Sequence, residues 1–405
     1  MRIGILDCSS PHWTAGETYT RTLLAALEVA DKPSGTSLVF FRSNTVLVPP
    51  SCFEICDIGP APSIPAWRGL QESYGIDVLL PLQNCALPPR RAAVGWIPDF
   101  QHIHLPHLFA SEEIAARDKT YAQLAESCQK IIVSSQAVSR DFSTLFPKYA
   151  DKACVLPFPS LFASSGIPPQ TGNTVGRYCL PRQFALVPNQ FWTHKNHAIL
   201  PPALAALRIA GRRLPIVLTG VPADYRNPAN TRLSEFFQAV AQHGVHNDIY
   251  MLGAVSREEL LDLLRSASLI IQPSLSEGWN TTLEDAKALG VPIACSDLQV
   301  HREQCGEEAF YFDPKNPQSL AYAMSRAWPD HENVQSLYPH REKCSLERAK
   351  VRLKDWGDAL ITTALAASEA FTPGRASHNT PGNQVTNKCR VAFDKLRRAA
   401  VALGS

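Results

Sequence analysis

The sequence predicts an α/β protein of two doubly wound, parallel-sheet domains. Three observations lead there. Short apolar runs alternate with amphipathic stretches along the chain, and most runs are continuous, as in strands covered on both faces. A stretch rich in Ser, Gly, Pro and Thr, "PSLFASSGIPPQTGNTVG" from Pro159 to Gly176, separates two halves of the same pattern. Finally, 405 residues are too many for one ordinary core and suit two domains.

In the first half the strand candidates are "RIGILD", "LVFF", "DVLLPL", "AVGWIPD", "KIIVSS" and "ACVLPF". In the second half they are "FALVPN", "PIVLTG", "IYMLG", "LIIQPS", "PIACSD" and "AFYFD". Helical patterns such as "ETYTRTLLAALEVA", "FQAVAQHG" and "SREELLDLLRSAS" lie between them, the order of a wound parallel sheet. The expected organisation is a first domain over residues 1–158, a linker over 159–178 and a second domain over 179–345. A helix over 346–371, "RLKDWGDALITTALAASEAF" at its heart, is expected to pack back on the first domain. Residues 372–405 read as a flexible tail whose last part, "CRVAFDKLRRAAVAL", suits a short basic amphipathic helix. A solvated tail is the plainer reading, and peripheral membrane contact is the alternative. Ligands of doubly wound sheets bind beyond the carboxyl ends of the strands, so a cleft between the domains is the expected site.

Composition narrows the function classes. With 45% hydrophobic and 19% charged residues the chain reads as soluble and globular. A net charge of +2 makes no case for nucleic acid. The 11 cysteines form no framework and fit reduced thiols; Cys52 and Cys56 are a close pair without a second pair at zinc spacing, and read as structural. The pattern of a secretory leader is not seen in "MRIGILDCSS", nor is an apolar run of membrane-spanning length found, so a cytoplasmic protein is expected.

The chemistry concentrates in "SEGWNTTLEDAKALGVPIACSD", Ser276 to Asp297. "LIIQPS" before it and "VPIACSD" at its end are strand candidates, with "TTLEDAKAL" a short helix between them. Thr281 and Glu284 have capping-box spacing, Gly290 stops the helix and Pro292 prevents its return. The helix N-terminus thus points out of the carboxyl end of a strand, the arrangement of an anion site. Taken alone, Glu277 is a loop acid and Glu284 a cap.

Together with "LVPNQFWTHKNHAIL" and "WIPDFQHIHLP", this segment resembles the retaining glycosyltransferases of family 4, which have the GT-B fold of two Rossmann-like domains facing a central cleft. The resemblance runs from "MRIGILD" to about Trp328. It implies transfer of a sugar such as mannose, rhamnose, glucose or N-acetylglucosamine from a nucleotide-sugar donor. The acceptor would be a saccharide or lipid-linked saccharide, and no metal is required. The family pattern Gly-Arg, four residues, Lys puts two basic groups on the donor diphosphate. Lys195 matches the Lys, while Asn189 and Gln190 stand where Gly and Arg are usual, and Gln190 brings a donor without charge. Gly278, Asn280, Thr281 and Thr282 match the turn and helix start that face the same diphosphate; Asn280, where Gly is usual, suits a positive φ. The family's first Glu contacts the transferred sugar and its second holds the ribose. Glu277 matches the first, and the second register position falls on Asp285, with Glu284 one residue short of it. Which of these two acids takes the ribose stays open.

In the first half, "TAGETYTRTLLAAL" resembles the family's glycine loop, with Gly16 allowing backbone approach to the donor. "WIPDFQHIHLP" sets Pro98-Asp99 where the family often has His-Asp, so Asp99 is a site candidate beside His102, with His104 a weaker one. Backbone near Val255 is expected to line the base pocket, and Ser256 with Glu259 makes a second capping box. His301 and Arg302, after another strand, are as readily surface residues. The expected catalytic residues are therefore Lys195, Glu277, Asp99 and His102. Two rival readings are a binding protein of this fold without activity and a nucleotide-sugar epimerase. A dinucleotide oxidoreductase is disfavoured because no G-x-G-x-x-G follows the first strand.

Overall fold

The computed structural model describes residues 1–9, 14–43, 47–59, 63–83, 91–163, 173–224, 226–227, 229, 231–329, 334–372, 393 and 397–398. The chain divides into two compact units, Met1–Ser164 with Lys350–Ser405, and Ser165–Ala349. Each is built on one parallel sheet, and the fold is GT-B.

In the first unit, β1 (Arg2–Leu6), β2 (Ser37–Arg42), β3 (Phe53–Asp57), β4 (Val78–Leu82), β5 (Ala92–Ile97), β6 (Lys130–Val133) and β7 (Ala153–Val155) pair in the order β3-β2-β1-β4-β5-β6-β7. Helices α1 (Thr14–Val29), α2 (Ile64–Ser73), α3 (Gln101–His104), α4 (Ser111–Ser127) and α5 (Gln136–Leu145) connect them. The inner strands β4 and β5 are buried at every residue, so their continuous apolar runs are legible as strands. Edge strand β3, "FEICD", has no such run: Glu54 and Asp57 face outward and pair with Arg2 and Arg42, and the sequence reading missed it.

In the second unit, α6 (Thr174–Arg177) precedes β8 (Ala185–Pro188), and α7 (Leu200–Ile209), β9 (Ile216–Thr219), α8 (Thr231–Gln242), β10 (Ile249–Gly253), α9 (Arg257–Ser266), β11 (Leu269–Gln272), α10 (Thr281–Leu289), β12 (Ile293–Ser296), α11 (Gln299–Cys305), β13 (Ala309–Phe312) and α12 (Pro317–Ala327) follow. Its sheet order is β10-β9-β8-β11-β12-β13. The end of the expected linker is part of this unit. Helix α6 is fastened to α9 by Thr174 Oγ1 donating to Asp262 at 2.9 Å and by the Arg177–Glu259 pair at 2.7 Å. Residues 164–172 of the linker lie outside the described residues.

Helix α13 (Val334–Ala370) runs from the second unit into the first. Within the first unit Trp356 Nε1 donates to Leu156 O at 3.3 Å and meets Tyr19 edge-on, because an indole buries its area and still needs a partner for its N–H. Of the expected tail, most lies outside the described residues; of those described, Phe393 is buried in the first unit's core and Arg397 grips Asp118 with two bonds of 2.6 Å. Among the described residues no helix is long and apolar enough to cross a membrane.

Candidate active site

The second unit's sheet is wound outward from β8 to β9 and β10 on one side and from β11 to β12 and β13 on the other. β8 and β11 are therefore the hydrogen-bonded pair at which the winding reverses. Loops leaving two such strands part in opposite directions and open a crevice at their carboxyl ends. The two motifs singled out from the sequence are these two loops.

The loop after β8 is held from several sides. Gly220, at φ 115°, lets the end of β9 come so close that a Cβ there would lie 2.4 Å from Asn189 O, so no other residue fits. Buried Asp224 accepts from Thr193 N at 2.8 Å and Thr193 Oγ1 at 3.0 Å. Asn196 sits in the left-handed region and donates to Pro314 O at 2.8 Å. A 3-10 turn, Thr193–Lys195, is thereby fixed, and Leu275 N donates to His194 O at 2.8 Å to join it to the loop after β11.

These constraints bring Lys195 and Glu277 together. Lys195 Nζ donates to Glu277 Oε1 at 2.6 Å, with side chains only 16% and 10% exposed. Asn280 Nδ2 at 3.0 Å and Gln272 Nε2 at 3.3 Å donate to the same oxygen. Burial alone raises the Glu277 carboxyl, but the Lys195 ammonium and its hydrogen bond outweigh it and bring the carboxyl down to about 2. Neighbouring histidines are kept neutral. Burial and then the Lys195 charge lower His194 to about 3, and the same causes lower His197, stacked 4.0 Å from Phe191, to about 3. His301, open to a surface reading from sequence, is fully buried and bonds Ser296 O through Nδ1 at 2.9 Å, with burial lowering it.

Helix α10 corrects the expected cap. Asn280 is the N-cap, its side chain accepting from Leu283 N at 3.1 Å, and its φ of −111° is extended rather than positive. The helix starts one residue earlier than a Thr281–Glu284 box requires. Glu284 is instead buried, with Oε1 accepting from Gln304 Nε2 at 3.0 Å and from Lys287 Nζ at 3.3 Å. Gln304 also clamps the Asn280 main chain, donating to its O at 2.7 Å and accepting from its N at 3.3 Å. The side chain that sequence made a cap thus anchors the residue that fixes the real cap. Asp285, next to it, is half-buried. The Thr281 and Thr282 N–H groups have no intrahelical acceptor by helix geometry and open this end to an anion. Gly290 ends the helix at φ 69°, as expected, and Ser256 with Glu259 forms the expected second capping box. Gly278 is buried, and Gln190 and Val255 are half-buried.

In the first unit, Asp99 lies near enough to His102 and His104 for its charge to act on both. Gly16 falls inside α1, not in a loop; the loop preceding it, residues 10–13, lies outside the described residues. Asp99 Oδ1 accepts from Gln101 N at 3.0 Å, and Arg117 lies 3.9 Å away. His102 is fully buried, bonded to Asp118 through Nε2 at 3.1 Å and packed among Phe109, Tyr121 and Phe393, so it is a core histidine here. His104 Nε2 bonds Asp141 at 2.7 Å. Sequence reasoning missed the roles of Gln272 and Gln304. The signal for Gln272 was present, as a Gln closing the otherwise apolar run "LIIQ"; for Gln304, in an exposed-looking "HREQ", there was none.

Such a centre, a buried lysine and carboxylate beside a helix N-terminus at a sheet switch point, suits a phosphorylated, hydroxyl-bearing ligand. Residues 181–344 match the family model described as glycosyl transferases group 1. The chain is 35% identical over 83 residues, 20% of this chain and 21% of the relative, to a putative teichuronic acid biosynthesis glycosyltransferase, TuaC, of Bacillus subtilis. It is 25% identical over 254 residues, 61% of this chain and 64% of the relative, to the O-antigen chain mannosyltransferase B of Escherichia coli. The chain thus spans between 21% and 64% of the length of these two curated relatives. Among solved structures, sucrose-phosphate synthase of Thermosynechococcus elongatus aligns with TM-score 0.63 at 15% identity, covering 90% of this chain and 98% of that one. Anabaena HepE, in complex with UDP and glucose, aligns with TM-score 0.60 at 18% identity, covering 91% and 98%. These likenesses speak for the fold.

Proposed function

We propose that the protein is a retaining glycosyltransferase of family 4. It moves a hexose-type sugar (mannose, rhamnose, glucose or N-acetylglucosamine) from a nucleotide-sugar to a saccharide or lipid-linked saccharide in glycan synthesis in the cytoplasm. The observation that carries this reading is the Lys195–Glu277 pair at the switch point, beside the N-terminus of α10. In this reading the Lys195 ammonium, the Gln190 amide and the Thr281 and Thr282 N–H groups stabilise the charge developing on the departing diphosphate, so no metal takes part. Glu277 accepts from hydroxyls of the transferred sugar. Asp285, at the register of the ribose-binding acid in the family this chain resembles, takes the ribose. Retention follows from attack on the face the donor leaves. The bond from the anomeric carbon to the phosphate oxygen breaks, the acceptor oxygen bonds to that carbon on the same face, and the acceptor's proton passes to the departing phosphate oxygen. The relatives named for teichuronic acid and O-antigen synthesis support a glycan product.

The test is nucleotide release from a panel of nucleotide-sugars with and without saccharide acceptors. One donor should turn over, and Lys195→Ala and Glu277→Ala should each lower turnover by about a hundredfold or more while the protein stays folded. Near-normal turnover in both variants would overturn the assignment.

A further inference from the structure

We propose that Gln272, itself held by Asn189, is a positioning residue that selects which oxygen of Glu277 faces the transferred sugar. The proposal rests on the reading of Glu277 as the sugar-facing acid.

Gln272 is fully buried at the end of a central strand. A buried amide costs stability unless its bonds are made, whereas an apolar residue would carry no such cost there. The bonds are made. Gln272 Nε2 lies 2.9 Å from Ser274 Oγ, 3.2 Å from Asn189 Oδ1 and 3.3 Å from Glu277 Oε1, and its Oε1 accepts from Asn189 Nδ2 at 3.0 Å. An ionised carboxylate only accepts, so the amide of Gln272 must turn its NH₂ toward Glu277. That choice leaves its oxygen toward Asn189 and so fixes the Asn189 amide as well. The two amides bond reciprocally and tie the ends of β8 and β11 together. A glycine at position 189, usual in the family this chain resembles, could make neither of those bonds.

The consequence falls on Glu277. Gln272, Lys195 and Asn280 all converge on Oε1. Among the described residues no donor reaches Oε2, and that atom is not among the buried polar atoms lacking partners. Three donors on one oxygen fix the plane of the carboxylate and leave the other oxygen to a ligand hydroxyl. Without Gln272 the carboxylate retains its charge and its lysine but can rotate about its last bond. Sugar contact should suffer, and nucleotide contact should not.

The experiment compares wild type with Gln272→Leu, which keeps the volume, and with Asn189→Gly. Steady-state kinetics are measured on the donor found in the panel, and calorimetry on the matching nucleoside diphosphate, which lacks the sugar. Gln272→Leu should lower kcat by about tenfold or more, with diphosphate affinity within about threefold of wild type. Asn189→Gly should shift kcat the same way by less. A merely structural role would move both quantities together, and turnover within about twofold of wild type would overturn the proposal. A thermal-melting cycle of Gln272→Leu, Glu277→Gln and the double variant needs no activity. The shifts in Tm should fail to add, and additive shifts would overturn the proposal. If wild type turns over no donor, the functional reading fails, while the melting cycle still decides whether Gln272 acts on Glu277.

Discussion

Replacing Lys195 by methionine removes one charge while keeping the length and apolar stem of the side chain. In the native protein the two charges sit 2.6 Å apart with little exposure, so the change leaves the Glu277 carboxylate buried with only the Asn280 and Gln272 amides to hold it. Breaking a buried pair by deleting one partner costs about 3–5 kcal/mol, and the residual solvent access here argues for the lower end, about 3 kcal/mol near neutral pH. For a unit of this size each kcal/mol moves the midpoint by about 2–4 °C, so the second unit should melt roughly 6–12 °C lower. The penalty must also depend on pH. With Lys195 gone, burial dominates and the Glu277 carboxyl rises above its ordinary value, so it takes up a proton in mildly acidic solution and ceases to be an unpaired charge. Differential scanning calorimetry of wild type and Lys195→Met near pH 7 and near pH 5 measures this, and the gap between them should shrink at the lower pH. An equal gap at both values, or a gap of less than about 2 °C near neutrality, would refute the reasoning.

Two further outcomes follow from the same geometry. Asp285→Ala should weaken nucleotide affinity about tenfold or more, whereas Glu284→Ala should chiefly lower the melting temperature, since it strips Gln304 and Lys287 of a buried acceptor; calorimetric titration of both variants separates them, and a loss of affinity in Glu284→Ala alone would return the ribose to Glu284. His194 and His197 titrate near 3 in the folded protein against 6.5 for an ordinary histidine, so the unfolded chain binds the extra protons. Their contribution to stability is complete above about pH 6.5 and is lost as pH falls toward 3, at about 1.4 kcal/mol per pH unit for each histidine. Urea midpoints across that window should fall steadily in wild type and less steeply in His197→Phe, which keeps the stack on Phe191; parallel curves would contradict the burial of a neutral His197.

Much of the fold was legible because parallel strands buried on both faces must be apolar throughout, and runs such as "DVLLPL" and "LIIQPS" have few other uses. Strand β3 escaped because an edge strand needs one buried face only, and its charges pair outward. Lys195 and Glu277 were found as members of motifs, but nothing in their spacing says they touch; they lie 82 positions apart and meet because β8 and β11 are neighbours in the sheet. His102 looked available in "FQHIHLP" and is a core residue, since α3 turns it inward toward Tyr121 and Asp118.

The two acids at the start of α10 divide the matter most clearly. Sequence alone determined that a helix begins there and that it ends at Gly290, because caps and stops are local effects within one turn, and the family resemblance put an acid at the register of Asp285. Only the tertiary structure decided that Asn280 is the cap and that Glu284 turns inward. That outcome depends on Gln304, 20 positions further on, and on the sheet that places α11 against α10. The partners of a buried polar group are chosen by which distant segments the core brings into reach, and no local pattern encodes that choice.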